Sequence, residues 1–595
     1  MTKAGPARPA GIPKAPDASR RTWAAAALIA CAGLVAYSNT FANPFQFDDV
    51  GQFIGKIDFQ NPGALWAAIS GNTRPFFFFT LALQGRLNGM EVWWYHAVNL
   101  AVHILSGLLL FGILRRTLAS ERLKGAYERD SLGLALAISL LWTVHPLQTE
   151  SVTYIFQRAE SMMGLFLLLT LYAFIRGCNG GRFWFAVSIF ACVLGMATKE
   201  VMAVAPLVVL LYDRTFRAGA FVKALRGRWK YYAGLAGTWA VPVYLMATSY
   251  NFQLETGAGF GSTAMTPLQY ARTEPGVILH YLLLSFRPFN LCFDYAWPVA
   301  DTVGRIAPAA LAVGALLFLT GWGLIRNHPL GFCAAWFFVI LAPTSSIMPL
   351  PDPAVEHRMY LPLAGVLAFA VVGIYELVNR WMRQADFTDA RRKRVRLAAG
   401  ALCAMVVVMM GVLAYYRNTD YESAFSLWSD TVAKSPNCAR ARSNLGSALV
   451  AQGRYAEAIP QLKEALRLRP DMWPTHNPLG FALLNVNQPE EALFHFQELL
   501  KRRPDDGDAL MNSANLLGQL GRHQEAIECF QKALRLGVEQ PAYQRLVHYN
   551  LGVALCGLKR YDEAEQHLKE AVRLDPNFQP PREQLEQLEK LRREQ

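Results

Sequence analysis

Apolar residues dominate the chain from residue 23 to about residue 416 in a series of long runs, and after Arg417 the runs stop. The longer runs approach the roughly 20 residues that a helix needs to cross a hydrocarbon core. Eleven spans are expected, near 23–41, 95–114, 131–148, 160–176, 183–198, 200–212, 231–247, 305–325, 331–349, 361–379 and 397–416. The 200–212 run is short and starts at Lys199–Glu200, so it tilts with buried polar ends or is only partly embedded. Arg287 and Pro288 cut the run GVILHYLLLSFRPFNL (276–291) too early for a span, and it reads as interfacial or re-entrant. The first run continues past Cys31 to Phe41, which favours an uncleaved span over a lipoprotein-type signal.

Beyond Arg417 the pattern is periodic on a longer scale. Pro436, Pro470 and Pro504 recur every 34 residues, as do Ala458, Ala492 and Ala526, and Gly446, Gly480 and Ala514. That interval, with the motif NLGSALVAQGRYAEAIPQLKEALRLRP (444–470) and its copies at 478–504 and 512–536, identifies tetratricopeptide repeats. A fourth copy, NLGVALCGLKRYDEAEQHLKEAVRLDP (550–576), arrives four residues late, and the insertion is expected around Gly537–Pro541. Small residues at the Gly446 and Ala458 positions let two antiparallel helices approach, and each pair buries its apolar face against the next. Asn444, Asn512 and Asn550 share one repeat position, where an amide either clamps an extended peptide or caps and cross-links the array.

The composition agrees with two such halves. Of 595 residues, 53% are hydrophobic and 17% charged, with a mean hydropathy of +0.17, which excludes a wholly soluble globule, a disordered chain and a small disulfide scaffold. The fold class is all-α: a multispan membrane domain followed by a soluble α-solenoid. The parts expected are a cytoplasmic tail at 1–22, a transmembrane domain at 23–416, a connecting helix at 417–436, the repeat array at 437–576 and a capping helix at 577–595. Nine cysteines are scattered without a CxxC pair or zinc-ligand spacing.

The net charge of +13 lies in clusters between apolar runs, so it argues for cytoplasmic loops and against nucleic acid as a partner. With eleven spans, the groups Arg20/Arg21, Arg115/Arg116/Arg122/Lys124, Arg214–Lys230 and Arg391–Arg396 fall on one side. That side is cytoplasmic, and everything after residue 416 is then outside. An Ala/Arg-rich chain without a retention signal suits a bacterial inner membrane with the repeats in the periplasm; the alternative is the endoplasmic reticulum with lumenal repeats.

Ionisable residues near lipid are costly and mark candidate chemistry. Five places carry them: Asp48 and Asp49 in FDDV; His145, Glu150, Arg158 and Glu160 in HPLQTESVTYIFQRAE; Lys199 and Glu200; Asp294 in LCFDYAW; and Glu356, His357, Arg358 and Tyr360 in EHRMYLP. On this topology all five face one compartment. Carboxylates beside Arg and Lys there can hold an anionic headgroup while one carboxylate takes a proton from an acceptor. Arg74 and His280 read as ordinary interfacial residues.

These segments, in this order and followed by the repeats, resemble the transmembrane and tetratricopeptide-repeat family. That family is related to protein O-mannosyltransferases and other polyprenyl-phosphate-dependent glycosyltransferases of the GT-C fold. RPF (74–76) and YHAVNLAVHILSGLLLF (95–111) belong to the same match. The resemblance implies transfer of a sugar, mannose in the best-known relatives, from a polyprenyl-phosphate carrier to Ser or Thr hydroxyls of a protein on the outer side. By that analogy Asp48 or Asp49 is the base, and Arg158, Lys199 and Arg358 stabilise the departing phosphate. His145, Glu150, Glu160, Glu200, Asp294, Glu356, His357 and Tyr360 orient those cations or bind sugar. Animal members place Arg directly after the Glu of the last segment, whereas here His357 intervenes before Arg358. No resident metal is expected, because mannosyltransferase-type relatives do without one; a divalent ion on Asp48, Asp49 and Glu150 is the alternative. The partners implied are the lipid-linked sugar donor and a protein acceptor in the repeat groove. Rival readings are a ligase for lipid-linked glycans and a membrane-anchored repeat scaffold.

Overall fold

A computed structural model describes residues 17–54, 61–123, 125–248, 265–385, 387–536 and 541–593. Most of the expected tail, Lys124 of one basic cluster, and residues 537–540 of the expected insertion lie outside the described residues. The chain is all-α and divides into two units, Met1–Leu427 and Trp428–Gln595.

In the first unit, five helices among the described residues are long and apolar enough to cross a membrane: Val92–Leu118, Ile155–Cys178, Val303–Ile325, Pro362–Gln384 and Asp389–Thr419. A sixth is added if Glu128–Thr143 and Pro146–Thr153, bent by 54°, form one span. Length separates these from most of the other expected runs. Phe183–Met196 has 14 residues and Pro329–Leu341 has 13, about 20 Å of helix against a core about 30 Å thick. The 231–247 run divides into Trp229–Gly237 and Ala240–Thr248, and 200–212 becomes a tight turn, Glu200–Val204, before Ala205–Asp213. Residues 276–286 complete a continuous helix, Pro267–Phe286, rather than a re-entrant turn; its start is closed by reciprocal bonds between Thr266 and Gln269, and it is capped by Arg287, where Pro288 disfavours helical geometry, so residues 287–291 lie beyond it.

The bend in the 131–153 region has a covalent cause. Pro146 has no N–H to give to the Trp142 carbonyl, so the helix Ser131–Thr143 stops and a tight turn, Pro146–Gln148, follows. Trp142, fully buried, instead donates its indole N–H to the Tyr360 carbonyl at 2.8 Å. His103 bonds the Thr143 carbonyl at 2.8 Å and the Tyr360 hydroxyl at 3.1 Å. Gly164 leaves the space that the Tyr360 ring fills; a Cβ there would stand 2.5 Å from Cε1. The Trp142 indole, the His103 ring and the Tyr360 hydroxyl, all buried, are thereby paired, as their burial requires.

In the second unit, helix pairs repeat: Ala439–Ala451 with Tyr455–Leu468, His476–Asn485 with Pro489–Arg502, Gly507–Gln519 with His523–Arg535, and Pro541–Gly557 with Tyr561–Leu574, followed by Pro580–Arg593. A Cβ at Gly480 would meet the Phe496 ring at 2.9 Å, and one at Gly552 would meet Leu568 at 2.8 Å, so these glycines let the paired helices close. Ala458, Ala492, Ala526 and Ala564 are completely buried at the matching position of the second helix. The turn inside each repeat needs one residue in the left-handed region: Gly453 (φ +73°), Asn487 (+61°), Gly521 (+74°) and Lys559 (+59°). Glycine has no Cβ to oppose that geometry and asparagine is among the residues that tolerate it, whereas lysine is not. Lys559→Gly is therefore expected to raise the unfolding midpoint of the array, by about 0.5–1 kcal/mol of stability. Thermal melts of both proteins measure it, and an unchanged or lower midpoint would contradict the strain.

Candidate active site

The acidic loop is tied to the end of the last long apolar helix. Asn418 donates to the Ala36 carbonyl at 3.0 Å and to Asn39 Oδ1 at 2.9 Å, and its own Oδ1 accepts from Thr153 at 2.9 Å. Asn39 and Gln46 reach across to the Tyr415 and Tyr421 carbonyls. These bonds fix residues 36–46 over a distance of nearly 380 residues in sequence. The chain then passes through Phe47 at φ +36°, an unfavourable conformation for phenylalanine that the surrounding bonds impose.

The two aspartates that follow have different environments. Asp48 is half-buried, and its amide donates to the Tyr154 hydroxyl at 2.9 Å. Asp49 is buried; its Oδ2 accepts from the Gln46 amide at 2.8 Å, and its Oδ1 has no hydrogen-bond partner. Burial pushes the Asp49 carboxyl up to about 8, against the lowering effect of the backbone bonds and of Arg158. Because the folded value lies above the ordinary one of 3.8, the neutral acid favours folding. The contribution is complete below about pH 4 and is lost as pH rises through about 8. Asp49→Asn removes the titration, so the wild-type protein should lose thermal stability relative to this variant between pH 5 and pH 8. A stability difference that does not change with pH would contradict the assignment.

The cations arrive from three other segments. Arg158 is fully buried, donating Nε to Asn99 Oδ1 at 2.6 Å and Nη2 to the Tyr95 carbonyl at 3.0 Å, while Nη1 has no partner. Lys199 Nζ lies 2.6 Å from Glu160, and both side chains are almost wholly buried. Arg74 makes two bonds to Glu200, at 3.1 and 3.2 Å, with about a third of each side chain exposed. Beside this pair, Trp66, Ile69, Pro75, Phe76, Phe79 and Ala197 line an open apolar groove of about 500 Å³.

The last two segments close the arrangement. Glu150 accepts from the His357 amide at 2.9 Å and meets its Nδ1 at 2.7 Å. Burial, with Lys199 as the next contributor, lowers the His357 imidazole well below its ordinary range, so it is neutral and Nδ1–H is the donor. Glu356 accepts from the Cys292 amide at 2.5 Å and the Tyr295 hydroxyl at 2.9 Å, and lies 3.6 Å from Arg417. Phe293 packs its ring against Phe47, Tyr154 and Tyr421, which seats the LCFDYAW loop on the acidic loop.

Asp48, Asp49, Glu150, Arg158, Glu160, Lys199, Glu200, Glu356 and His357 thus form contacting pairs that lie within electrostatic reach of one another, Arg74 feeling Glu200, Glu160 and Asp48, and Glu150 feeling Lys199 and Arg417. Other expected site residues are engaged by the frame. Arg358 donates to the carbonyls of Pro353 (2.5 Å), Asp352 (2.6 Å) and Thr344 (3.4 Å) and to the Tyr270 hydroxyl (3.2 Å), pinning the loop ahead of it. His145 bonds the Ser285 carbonyl and the Leu147 amide, and Asp294 closes its own turn on the Ala296 amide. Tyr360 sits in the packing described above. In the repeats, Asn550 donates to Asn515 at 2.8 Å, the cross-linking arrangement; Asn444 Nδ2 is buried without a partner, and Asn512 is half-buried.

Sequence reasoning passed over Arg74 and Arg417. Arg417 ends the last apolar run, where a basic residue is commonplace, yet it is 5% exposed and bridges Glu356 and Asp420. The order of segments already linked RPF to the family match, and that signal bears on Arg74.

Comparison with known proteins agrees with both halves. Two family descriptions, each "Tetratricopeptide repeat", match residues 409–472 and 505–577. Protein O-mannosyl-transferase TMTC1 of Homo sapiens is 25% identical over 507 residues, covering 75% of this chain and 55% of that protein. Protein O-mannosyl-transferase Tmtc3 of Drosophila melanogaster is 23% identical over 471 residues, covering 67% and 48%. Protein O-mannosyl-transferase TMTC3 of Homo sapiens is 21% identical over 601 residues, covering 91% and 59%. The chain spans about half the length of the curated relatives it matches.

Proposed function

Because the chain belongs to the transmembrane and tetratricopeptide-repeat family, we propose that it is a membrane glycosyltransferase. In this reading it moves a single hexose of the mannose type from a polyprenyl-phosphate carrier to Ser or Thr hydroxyls of a protein, on the non-cytoplasmic face. The observation that carries the reading is the convergence of Asp48 and Asp49 with Lys199, Arg74 and their carboxylate partners, from segments far apart in the chain.

The acceptor hydroxyl oxygen attacks the anomeric carbon, its proton passes to Asp48, and the carbon–oxygen bond to phosphate breaks with the electron pair leaving on the carrier phosphate. A single displacement inverts the sugar carbon. Asp48 is the better base of the two aspartates because it is reachable, whereas the Asp49 carboxyl is buried and held neutral around pH 7. The leaving phosphate needs positive charge and no proton, which suits Lys199 and Arg74. The apolar groove beside Arg74 is a fitting path for the isoprenoid chain. His357, oriented by Glu150, is a candidate to meet the sugar. The repeat array recognises the acceptor protein.

The test is direct. Detergent-purified full chain is incubated with a polyprenyl-phosphate-linked mannose and a Ser/Thr-rich acceptor, and the acceptor is then weighed. A gain of one hexose supports the reading; transfer of a larger glycan favours the ligase, and no gain with any hexose donor rejects both. Removing residues 430–595 separates enzyme from scaffold, because an enzyme keeps transfer to short peptides.

A further inference from the structure

Two of the four repeats carry the same four residues in the same register. They are His476, Glu491, His495 and Glu498 in the second repeat, and His548, Glu563, His567 and Glu570 in the fourth. In each set one histidine comes from the first helix and one from the second helix of a single repeat. The rings confront each other through the same atom: Nδ1 to Nδ1 is 2.9 Å for His476–His495 and 3.0 Å for His548–His567, with ring centroids 5.1 and 5.2 Å apart.

Packing of the repeat does not demand this. The first repeat places Arg442 and Gln461 at these positions, bonded at 2.8 Å, and the third places Leu510 and Cys529 there. Two neutral imidazoles with facing Nδ1 atoms either share one proton or offer two lone pairs to a cation. A tetrahedral ion with nitrogens at 2.0–2.1 Å sets them about 3.3 Å apart, so the observed pairs need to open by only a few tenths of an ångström. Carboxylates stand one turn away on the same helix face, at three residues after and four before the second histidine. Glu498 and Glu570 are now paired with Lys501 and Arg573, exposed contacts worth little. As the side chains stand, no trio of His, Cys, Asp and Glu among the described residues is closed around a metal, so the third donor has to turn inward.

We propose that each histidine pair binds a divalent transition metal of the zinc class, with Glu498 or Glu570 as the third protein ligand and water completing the shell. The ion clips the two helices of its repeat together and stiffens the array at its second and fourth units.

Full-length protein in detergent, stripped with chelator and dialysed against micromolar zinc, is expected to retain two zinc ions per chain. The double variant His476→Asn with His495→Asn should retain one, as should His548→Asn with His567→Asn, and the quadruple variant none. Glu498→Gln should weaken the second-repeat site about tenfold while leaving the histidine pair intact. Should a double variant fail to fold, His476→Gln alone, at the first residue of its helix, is expected to drop the count to one. Zinc should also raise the melting temperature of the wild type and not of the quadruple variant. No saturable zinc in the wild type, or a stoichiometry that all variants share, overturns the proposal.

Discussion

Asp48→Asn is expected to yield a protein that inserts and folds normally yet transfers sugar at least about 10²-fold more slowly, the usual scale for removing a positioned general base. The side chain keeps its shape, and the amide of residue 48 still donates to Tyr154, so the loop geometry survives. What disappears is the proton acceptor. Asp49→Asn should slow the reaction far less, because that carboxyl is buried, bonded to the Gln46 amide and already neutral over much of the working pH range. The pair of rates, measured in isolated membranes with a defined lipid-phosphate sugar, assigns the base. Equal and complete loss in both variants would make the aspartates a single unit, and wild-type rates in Asp48→Asn would remove this residue from the chemistry.

Lys199→Ala should be the most destabilising single change near the site, costing about 3–5 kcal/mol, because it leaves the Glu160 carboxylate buried and unpaired. Replacing both partners by methionine removes the stranded charge and should restore most of the melting temperature. Transfer should stay lost in that double variant if Lys199 also meets the carrier phosphate. The two readouts separate a structural ion pair from a functional one: recovery of stability with full activity would confine Lys199 to the frame.

Much of the arrangement is legible in the sequence. The 34-residue period places both helices of each repeat, because the small residues at Gly446, Gly480 and Ala458 carry packing information locally. The acidic loop, the 145–160 segment and the EHRMYLP segment stand out because charges in apolar surroundings are expensive. Roles within the cluster were less legible. Arg358 and His145 look functional in sequence, yet their polar atoms are engaged by carbonyls and an amide nearby. Arg74 looks ordinary, yet it grips Glu200 beside the apolar groove. Apolar composition reports burial in lipid or in protein alike, so the eleven expected runs exceed the five or six helices, among the described residues, that are long enough to cross: helices of 13 or 14 residues meet the demand for burial without that length.

The sequence by itself determined the all-α class, the succession of an apolar half and a repeat half, the repeat period and the identity of the costly polar residues. Each of these depends on composition or on spacing over a few turns of helix, which the local chain dictates. Only the tertiary structure decided which charge meets which: Lys199 with Glu160, His357 with Glu150, Glu356 with Arg417, and Asn418 with the loop that carries Asp48. Such pairings depend on how helices hundreds of residues apart pack. A buried ion finds its counter-charge by position in space, and nothing in the local spacing of residues encodes that position.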